Sequence, residues 1–339
     1  MHLIPGRLLI LAAACFLCLN GSAQAYQADV LDAGFESQTI AQPDDYEGKV
    51  TCTLIRKRTL EKPVKAVLYI HGFNDYFFQR EMAEQFIARG YQFYALDLRK
   101  YGRSWLPNQK LNNVRDLHEY TADIDTALAL IRQETGAPVL LAGHSTGGLI
   151  VTLYAAEHQQ NPKFNAIFLN SPFFDMHMPW LIESLGVPLV SGMGKKHPDK
   201  ILKGGLTQWY GLSLHKDAKG EWDYKLAWKP HAVPPVNAGW LRAIHKAQQI
   251  IQRGVTIRQA VLVMHSNASI RAKSWTDRLF EADAVLNYRD IHRYAKKIEG
   301  PCTIIFIDKG MHDLVLSRSD VRTSVYSQLF DWLRNFNKV

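Results

Sequence analysis

The chain has 339 residues, 47% of them hydrophobic, and its 40 lysines and arginines against 32 acids give a formal charge of +8. Four cysteines and no spaced Cys/His set exclude a disulfide framework and a zinc site. The basic groups are scattered and no nucleic-acid motif accompanies them, so no nucleic-acid partner is expected; the charge suits anionic surfaces such as phospholipid head groups, and thus peripheral membrane contact.

Met1 to Arg7 carries one firm positive charge and leads into the apolar run Leu8 to Leu19, which ends near the A-x-A site Ala23-Gln24-Ala25. Residues 1–25 therefore read as a secretory signal peptide, since the run is short of the roughly 20 residues a spanning helix needs. Cys15 after three alanines resembles a lipoprotein processing site, but Ala12 stands where leucine is usual, which argues against lipid anchoring. Cleavage leaves about 314 residues bound for a periplasmic or extracellular destination, with Cys52 and Cys302 expected as buried free thiols.

From residue 48 the sequence alternates strand-like and helix-like blocks, the pattern of an α/β fold with a mostly parallel sheet flanked by helices. Strands are expected at Val50–Arg56, Ala66–Ile70, Gln92–Leu96, Val139–Ala142, Ala166–Asn170, Ala260–Met264 and Thr303–Ile307. Helices are expected at Arg80–Arg89, Val114–Glu134, Leu149–His158, Asp290–Lys297 and Val321–Phe336. In the second of these Leu117, Tyr120, Ile124, Leu128 and Ile131 make one apolar stripe. Residues 176–256 break the alternation with repeated prolines and glycines, yet hold five of the eight tryptophans, which must pack on something. The expected organisation is a core of residues 26–175 and 257–339 interrupted by a cap at 176–256.

Between the strand Val139–Ala142 and the helical run from Gly148 lies Gly143-His144-Ser145-Thr146-Gly147, a GxSxG elbow in the strand-turn-helix context it requires. Such a turn holds the serine in strained backbone angles and presents its hydroxyl beside a helix N-terminus. A serine hydroxyl needs a base, and the base an orienting acid. His312, just beyond the last strand at the sheet edge that carries the elbow, is the expected base. The loop after Met264 holds no carboxylate before Asp277, Glu281, Asp283 and Asp290. Asp283 is favoured because small and apolar neighbours can bury its pairing with histidine; Asp290 fits a helix N-terminus better, and Asp175 is the displaced alternative. For the oxyanion, the backbone N–H groups of Thr146 and Phe73 are expected, with His71 bracing the second loop. No metal or organic cofactor is needed.

The runs Tyr69-Ile70-His71-Gly72-Phe73 and Ala95 to Ser104, the elbow Gly143 to Gly147 and the late His312 resemble the α/β-hydrolase superfamily, and within it the serine aminopeptidase-like or monoglyceride lipase/lysophospholipase-like group. The resemblance covers about residues 48–338. It implies Ser145 as nucleophile, Asp283 as acid, His312 as base, Phe73 and Thr146 as the oxyanion hole, and a structural turn at Asp97–Ser104. The long stretch from His265 to Asp283 departs from the group's pattern.

The cap opens with an apolar stripe, Met176, Met178, Trp180, Leu181, Ile182, Leu185, Val187, Leu189 and Val190, readable as packed core or as an acyl-chain wall. Lys195, Lys196, Lys200 and Lys203 follow, readable as a solvated face or a site for an anionic head group. From 176 to 240, eight lysines face five acids, which favours fatty-acid esters over substrates with a free amine. The expected function is an exported serine hydrolase of carboxylic esters, acylglycerols or lysophospholipids. A peptidase or amidase on the same triad is the alternative, and a non-catalytic binding protein of this fold the remote one.

Overall fold

The computed structural model describes residues 25–59, 63–160, 162–178, 182–202 and 207–336. The leader up to residue 24, and Trp180, Leu181 and Lys203 of the cap, lie outside them. Among the described residues no helix is long and apolar enough to cross a membrane.

In chain order the strands are β1 (Gln27–Ala28), β2 (Phe35–Asp45), β3 (Gly48–Lys57), β4 (Lys65–Ile70), β5 (Tyr91–Asp97), β6 (Val139–His144), β7 (Ala166–Asn170), β8 (Val255–Thr256), β9 (Ala260–Ser266), β10 (Ile298–Glu299) and β11 (Cys302–Ile307). Nine of them form one sheet in the order β1-β2-β3-β5-β4-β6-β7-β9-β11, while β8 and β10 pair apart from it. β1, β2 and β3 run antiparallel, and from β5 to β11 every pairing is parallel.

The helices are α1 (Arg80–Ile87), α2 (Thr121–Thr135), α3 (Thr146–Glu157), α4 (Val187–Gly194), α5 (Trp209–Leu214), α6 (Ala238–Arg253), α7 (Tyr288–Ala295) and α8 (Ser319–Phe336). They cover both faces, as a parallel sheet requires. The period of two is visible in β4: Ala66, Leu68 and Ile70 join the core that holds α2, α3, α6 and α7, whereas Val67 and Tyr69 join the one beneath α1 and α8. Buried Leu117, Tyr120, Ile124, Leu128 and Ile131 form the stripe read from the sequence. Its helix starts later than expected, because Asp116 accepts from the His118 N–H and closes a capping box with Glu119. The thiols of Cys52 and Cys302 are unpaired; Cys52 is buried, but Cys302 is only half-buried.

Within the span 176–256 two parts differ. α6, begun by the Asn237 side chain accepting from the Trp240 N–H at 2.8 Å, buries Trp240, Leu241, Ile244 and Ile251 and packs on α3 and α4. It thereby supplies the crossover from β7 to β9. Residues before it arch over the carboxyl edge of the sheet. There the cap tryptophans find partners: the Trp222 indole donates to the Leu316 carbonyl at 2.9 Å, and Trp228 meets Tyr76 edge-on.

The turn after β5 fixes the loop after β4. Asp97 accepts from the Phe77 N–H at 2.9 Å, and the Arg103 guanidinium bonds Asp97, Asp29 and the Phe77 carbonyl. Both carboxylates are fully buried. Arg103→Ala would leave two buried anions without a counter-charge, so an unfolding titration in urea should show a loss of about 3–5 kcal/mol.

Candidate active site

Ser145 joins β6 to α3 with φ 51° and ψ −116°, a left-handed conformation that L-residues rarely adopt. Its neighbours leave no room for side chains. A Cβ on Gly147 would stand 2.4 Å from the carbonyl oxygens of Ile70 and His71, and one on Gly143 would stand 2.5 Å from the Gly147 carbonyl oxygen. The turn is held from the far side, since the Ser145 N–H donates to the Asn170 carbonyl and its own carbonyl accepts from Phe173.

The loop after β4 passes beside this turn. His71 is fully buried, its Nε2 accepts from the Leu98 N–H at 3.1 Å, and its Nδ1 faces the Gly72 carbonyl at 2.7 Å. That pattern needs a neutral ring, and burial pushes the His71 pKa down accordingly. The braced loop lies against the elbow, where a Cβ on Gly72 would stand 3.1 Å from the Ser145 Cβ, and Phe73 lines the same cavity as Thr146, the first residue of α3. Among the described residues neither backbone N–H has a protein acceptor.

Asp283 lies beside His312, with its Oδ2 2.9 Å from the ring Nδ1. Its Oδ1 accepts from the N–H groups of Val285 and Leu286 at 2.8 and 2.7 Å. Burial opposes the carboxylate, but His312 and these N–H groups prevail and hold the Asp283 pKa below its ordinary value. The long stretch before Asp283 is explained by a second pairing: the Asp283 N–H donates to the Ala268 carbonyl and the Ile270 N–H to the Asp283 carbonyl. Residues 271–282 are looped out, and Asp283 returns to the end of β9. The other acids lie elsewhere. Asp290 accepts from the Asn287 amide at the start of α7, Asp175 accepts from Gln252, and Asp277 and Glu281 are exposed.

Ser145 and His312 both line a cavity of about 340 Å³ beneath the cap. Phe73, Phe173, Met176, Leu214, Trp240 and Leu286 supply apolar wall, and Asn74, Lys229 and His231 add polar groups. The apolar stripe of the cap divides: Met176 and Met178 reach the cavity, Val187 is buried, and Ile182, Leu185 and Leu189 are exposed. Lys195, Lys196 and Lys200 are exposed as well. From α5, Tyr210 packs edge-on against His312 at 5.6 Å, and its hydroxyl accepts from the Asp313 N–H.

Sequence reasoning missed a polar cluster behind the serine. His144, Asp75, Asp313 and Lys229 are all buried, and the Lys229 Nζ stands 2.8 Å from the Asp75 Oδ1. Two of them adjoin Ser145 and His312 in sequence, which is the signal that was there to read.

The description "Serine aminopeptidase, S33" matches residues 61–318. The chain belongs to that family. It is 27% identical over 213 residues to a monoacylglycerol lipase of Mycolicibacterium smegmatis, covering 60% of this chain and 70% of that one. With the phospholipase YtpA of Bacillus subtilis it shares 29% identity over 113 residues, 33% of this chain and 42% of the other. A soluble variant of the Saccharomyces cerevisiae monoglyceride lipase, solved with a substrate analogue, superimposes with a TM-score of 0.63 at 16% identity, over 88% of this chain and 95% of that one. The fold of this S33 protein is thus the α/β-hydrolase fold.

Because Gly147 touches backbone rather than flexible side chains, Gly147→Ala must push the elbow away from β4. The expected cost is about 1–3 kcal/mol in thermal or urea unfolding, with loss of labelling of Ser145 by a fluorophosphonate probe.

Proposed function

We propose that this S33 protein is a serine hydrolase of carboxylic esters, that its substrates are fatty-acid esters of the acylglycerol or lysophospholipid kind, and that Ser145, His312 and Asp283 form its triad. The carrying observation is that Ser145 and His312 line one mainly apolar cavity while Asp283 binds the Nδ1 of His312. An acceptor carboxylate on Nδ1 fixes the tautomer that leaves Nε2 free to take a proton.

In the reading offered, the Ser145 oxygen adds to the ester carbonyl carbon as its proton passes to His312. The Phe73 and Thr146 N–H groups receive the negative oxygen, the Thr146 donor being reinforced by the positive end of α3. The tetrahedral adduct then collapses, the ester C–O bond breaks, and His312 returns the proton to the departing alcohol. Water, deprotonated by the same ring, cleaves the acyl-serine and restores the free enzyme.

The choice of ester over aminoacyl substrates has a structural support. An aminopeptidase must hold a free ammonium group, yet none of the described residues lining the cavity is an aspartate or glutamate, whereas Lys229 and His231 are there. The relatives named as a lipase and a phospholipase point the same way. Export is part of the proposal: cleavage after Ala25 would leave Tyr26 as the first residue, whose ring lies 3.4 Å under the Arg56 guanidinium. Exposed Ile182, Leu185 and Leu189 on the cap would suit contact with a lipid surface.

Ser145→Ala should abolish hydrolysis with the thermal transition retained, and activity surviving in the purified variant would end the assignment. Asp283→Asn should lower kcat by about 10⁴-fold with little change in KM, since the wrong ring nitrogen would then face the serine. A panel of p-nitrophenyl esters and aminoacyl anilides separates the substrate classes, with turnover expected on the esters. N-terminal sequencing of the protein recovered outside the cytoplasm should begin at Tyr26.

A further inference from the structure

Lys229 comes from the cap, in the segment where Tyr224, Trp228 and Pro230 lie on the loop after β4. The Asn74 amide donates to the Pro230 carbonyl at 3.0 Å, the Lys225 N–H donates to the Tyr76 hydroxyl at 2.7 Å, and Phe78 meets Tyr224 with ring centroids 4.8 Å apart. At the centre of this seam the Lys229 ammonium pairs with Asp75, two residues beyond Phe73. The Asp75 carboxylate in turn faces the His144 ring at 3.6 Å, and Asp313 faces the same ring nitrogen at 3.9 Å. Asp313 is tied onward, accepting from the Asn170 amide at 2.7 Å and from Gln79 at 3.2 Å. Three of the four are thus next to, or two residues from, a group the ester-hydrolase reading uses: Asp75 lies two beyond Phe73, His144 precedes Ser145 and Asp313 follows His312.

Charge counting shows why four members are needed. Two buried carboxylates require two positive charges, because an unpaired charge away from water costs several kcal/mol. Lys229 supplies one, and His144, whose Nδ1 lies 3.6 Å from Asp75 and 3.9 Å from Asp313, is the group placed to carry the other. The donor atoms of Asp75, His144 and Asp313 all lie within 4.8 Å of one another, and one of the three residues, Asp75, already carries the Lys229 ammonium as its counter-charge. Burial opposes the charge on His144, yet Asp313 and Asp75 outweigh it and hold its pKa above the ordinary histidine value, while Lys229 pulls the other way. The remaining groups facing the quartet leave that count intact: burial pushes the Tyr69 and Tyr210 phenols up and His71 down, so all three are neutral, and the His312 ring is turned toward Asp283.

We propose that Lys229 is a positioning residue for oxyanion stabilisation, the cap's contribution to a buried, charge-balanced quartet with Asp75, His144 and Asp313 that locks the Phe73 loop, the Ser145 elbow and the His312 loop in register. The proposal rests on the ester-hydrolase reading. It makes closure of the cap over the cavity a condition for a correctly placed Phe73 N–H. Lys229 acts through Asp75 and not on the ester itself.

The test uses the mature protein, p-nitrophenyl butyrate as an uncharged substrate, and Lys229→Met beside Lys229→Arg. Lys229→Met should lower kcat by about 10²-fold, the scale of a lost oxyanion donor, with KM nearly unchanged, and Lys229→Arg should recover much of the loss because it keeps the charge. In a histidine NMR titration the His144 midpoint should rise in Lys229→Met, since a repelling ammonium is gone, and fall in Asp75→Asn. A group whose folded pKa is raised stabilises below its unfolded value and ceases to as pH rises through the folded one, so Lys229→Met should keep the His144 contribution to higher pH than the wild type. If Lys229→Met does not fold, the double variant Lys229→Met/Asp75→Asn removes both charges of the pair and should show the same loss of kcat. A raised KM with kcat intact would make Lys229 a substrate contact and overturn the proposal, as would a His144 midpoint that ignores Lys229. Should the wild type hydrolyse no ester, the functional reading fails by itself, and the titration still decides the quartet.

Discussion

With Ser145 at φ 51°, the chain reverses so tightly between β6 and α3 that Gly147 lies against the carbonyls that end β4, and the rest of the site is placed by that contact. Gly147 can lie so close to the Ile70 and His71 carbonyls only because it carries no Cβ, so this glycine and the strand order β5-β4-β6 depend on each other. The contact brings the loop after β4 beside the N-terminus of α3. In the proposed reading, an anion formed at the serine would meet the N–H groups of Phe73 and Thr146, which line the same cavity. Preorganisation of this kind is where such sites derive most of their power.

Closeness of backbones has a cost, because polar groups forced together away from water must all find partners. The molecule meets it with buried ions. Asp97 with Arg103 holds the far end of the loop after β4, and Asp75 with Lys229 holds its near end. Asp313 and Asn170 link the histidine loop to β7. These pairs contribute little net stability when compared with apolar replacements, but each fixes one geometry, and breaking one leaves an unpaired charge. Rigidity around Ser145 is therefore electrostatic on the loop side and steric on the glycine side.

Much of this was legible in the sequence, for reasons that differ by element. Parallel strands buried on both faces read as short apolar runs, and all seven expected strands are present within a few residues. The elbow, His312 and the loop Tyr69 to Phe73 were legible because each is a local motif at the end of a strand. β1 and β2 were not singled out, for they precede the alternating region. α6 was hidden in a proline-rich segment despite the stripe of Trp240, Leu241, Ile244 and Ile251. The buried quartet could not be seen in full from sequence, since Asp75 and Lys229 are 154 positions apart and a lysine in a basic cap reads as solvated. The spacing of Asp283 looked anomalous only because the sequence does not show that Ser269 pairs with it.

That pairing has an evolutionary consequence. Because residues 268–270 and Asp283 are joined by ladder hydrogen bonds, the excursion between them begins and ends at fixed points. Closing a longer or shorter loop between anchored ends changes the free energy only slowly with length. The exposed part of that excursion, around Arg271 to Ser274, can therefore be extended or trimmed by insertion and deletion while the Asp283 carboxylate stays on His312, whereas buried Leu279 and Ala282 hold its return. An insertion there would add new surface beside the Asp283–His312 pair without disturbing the pair itself.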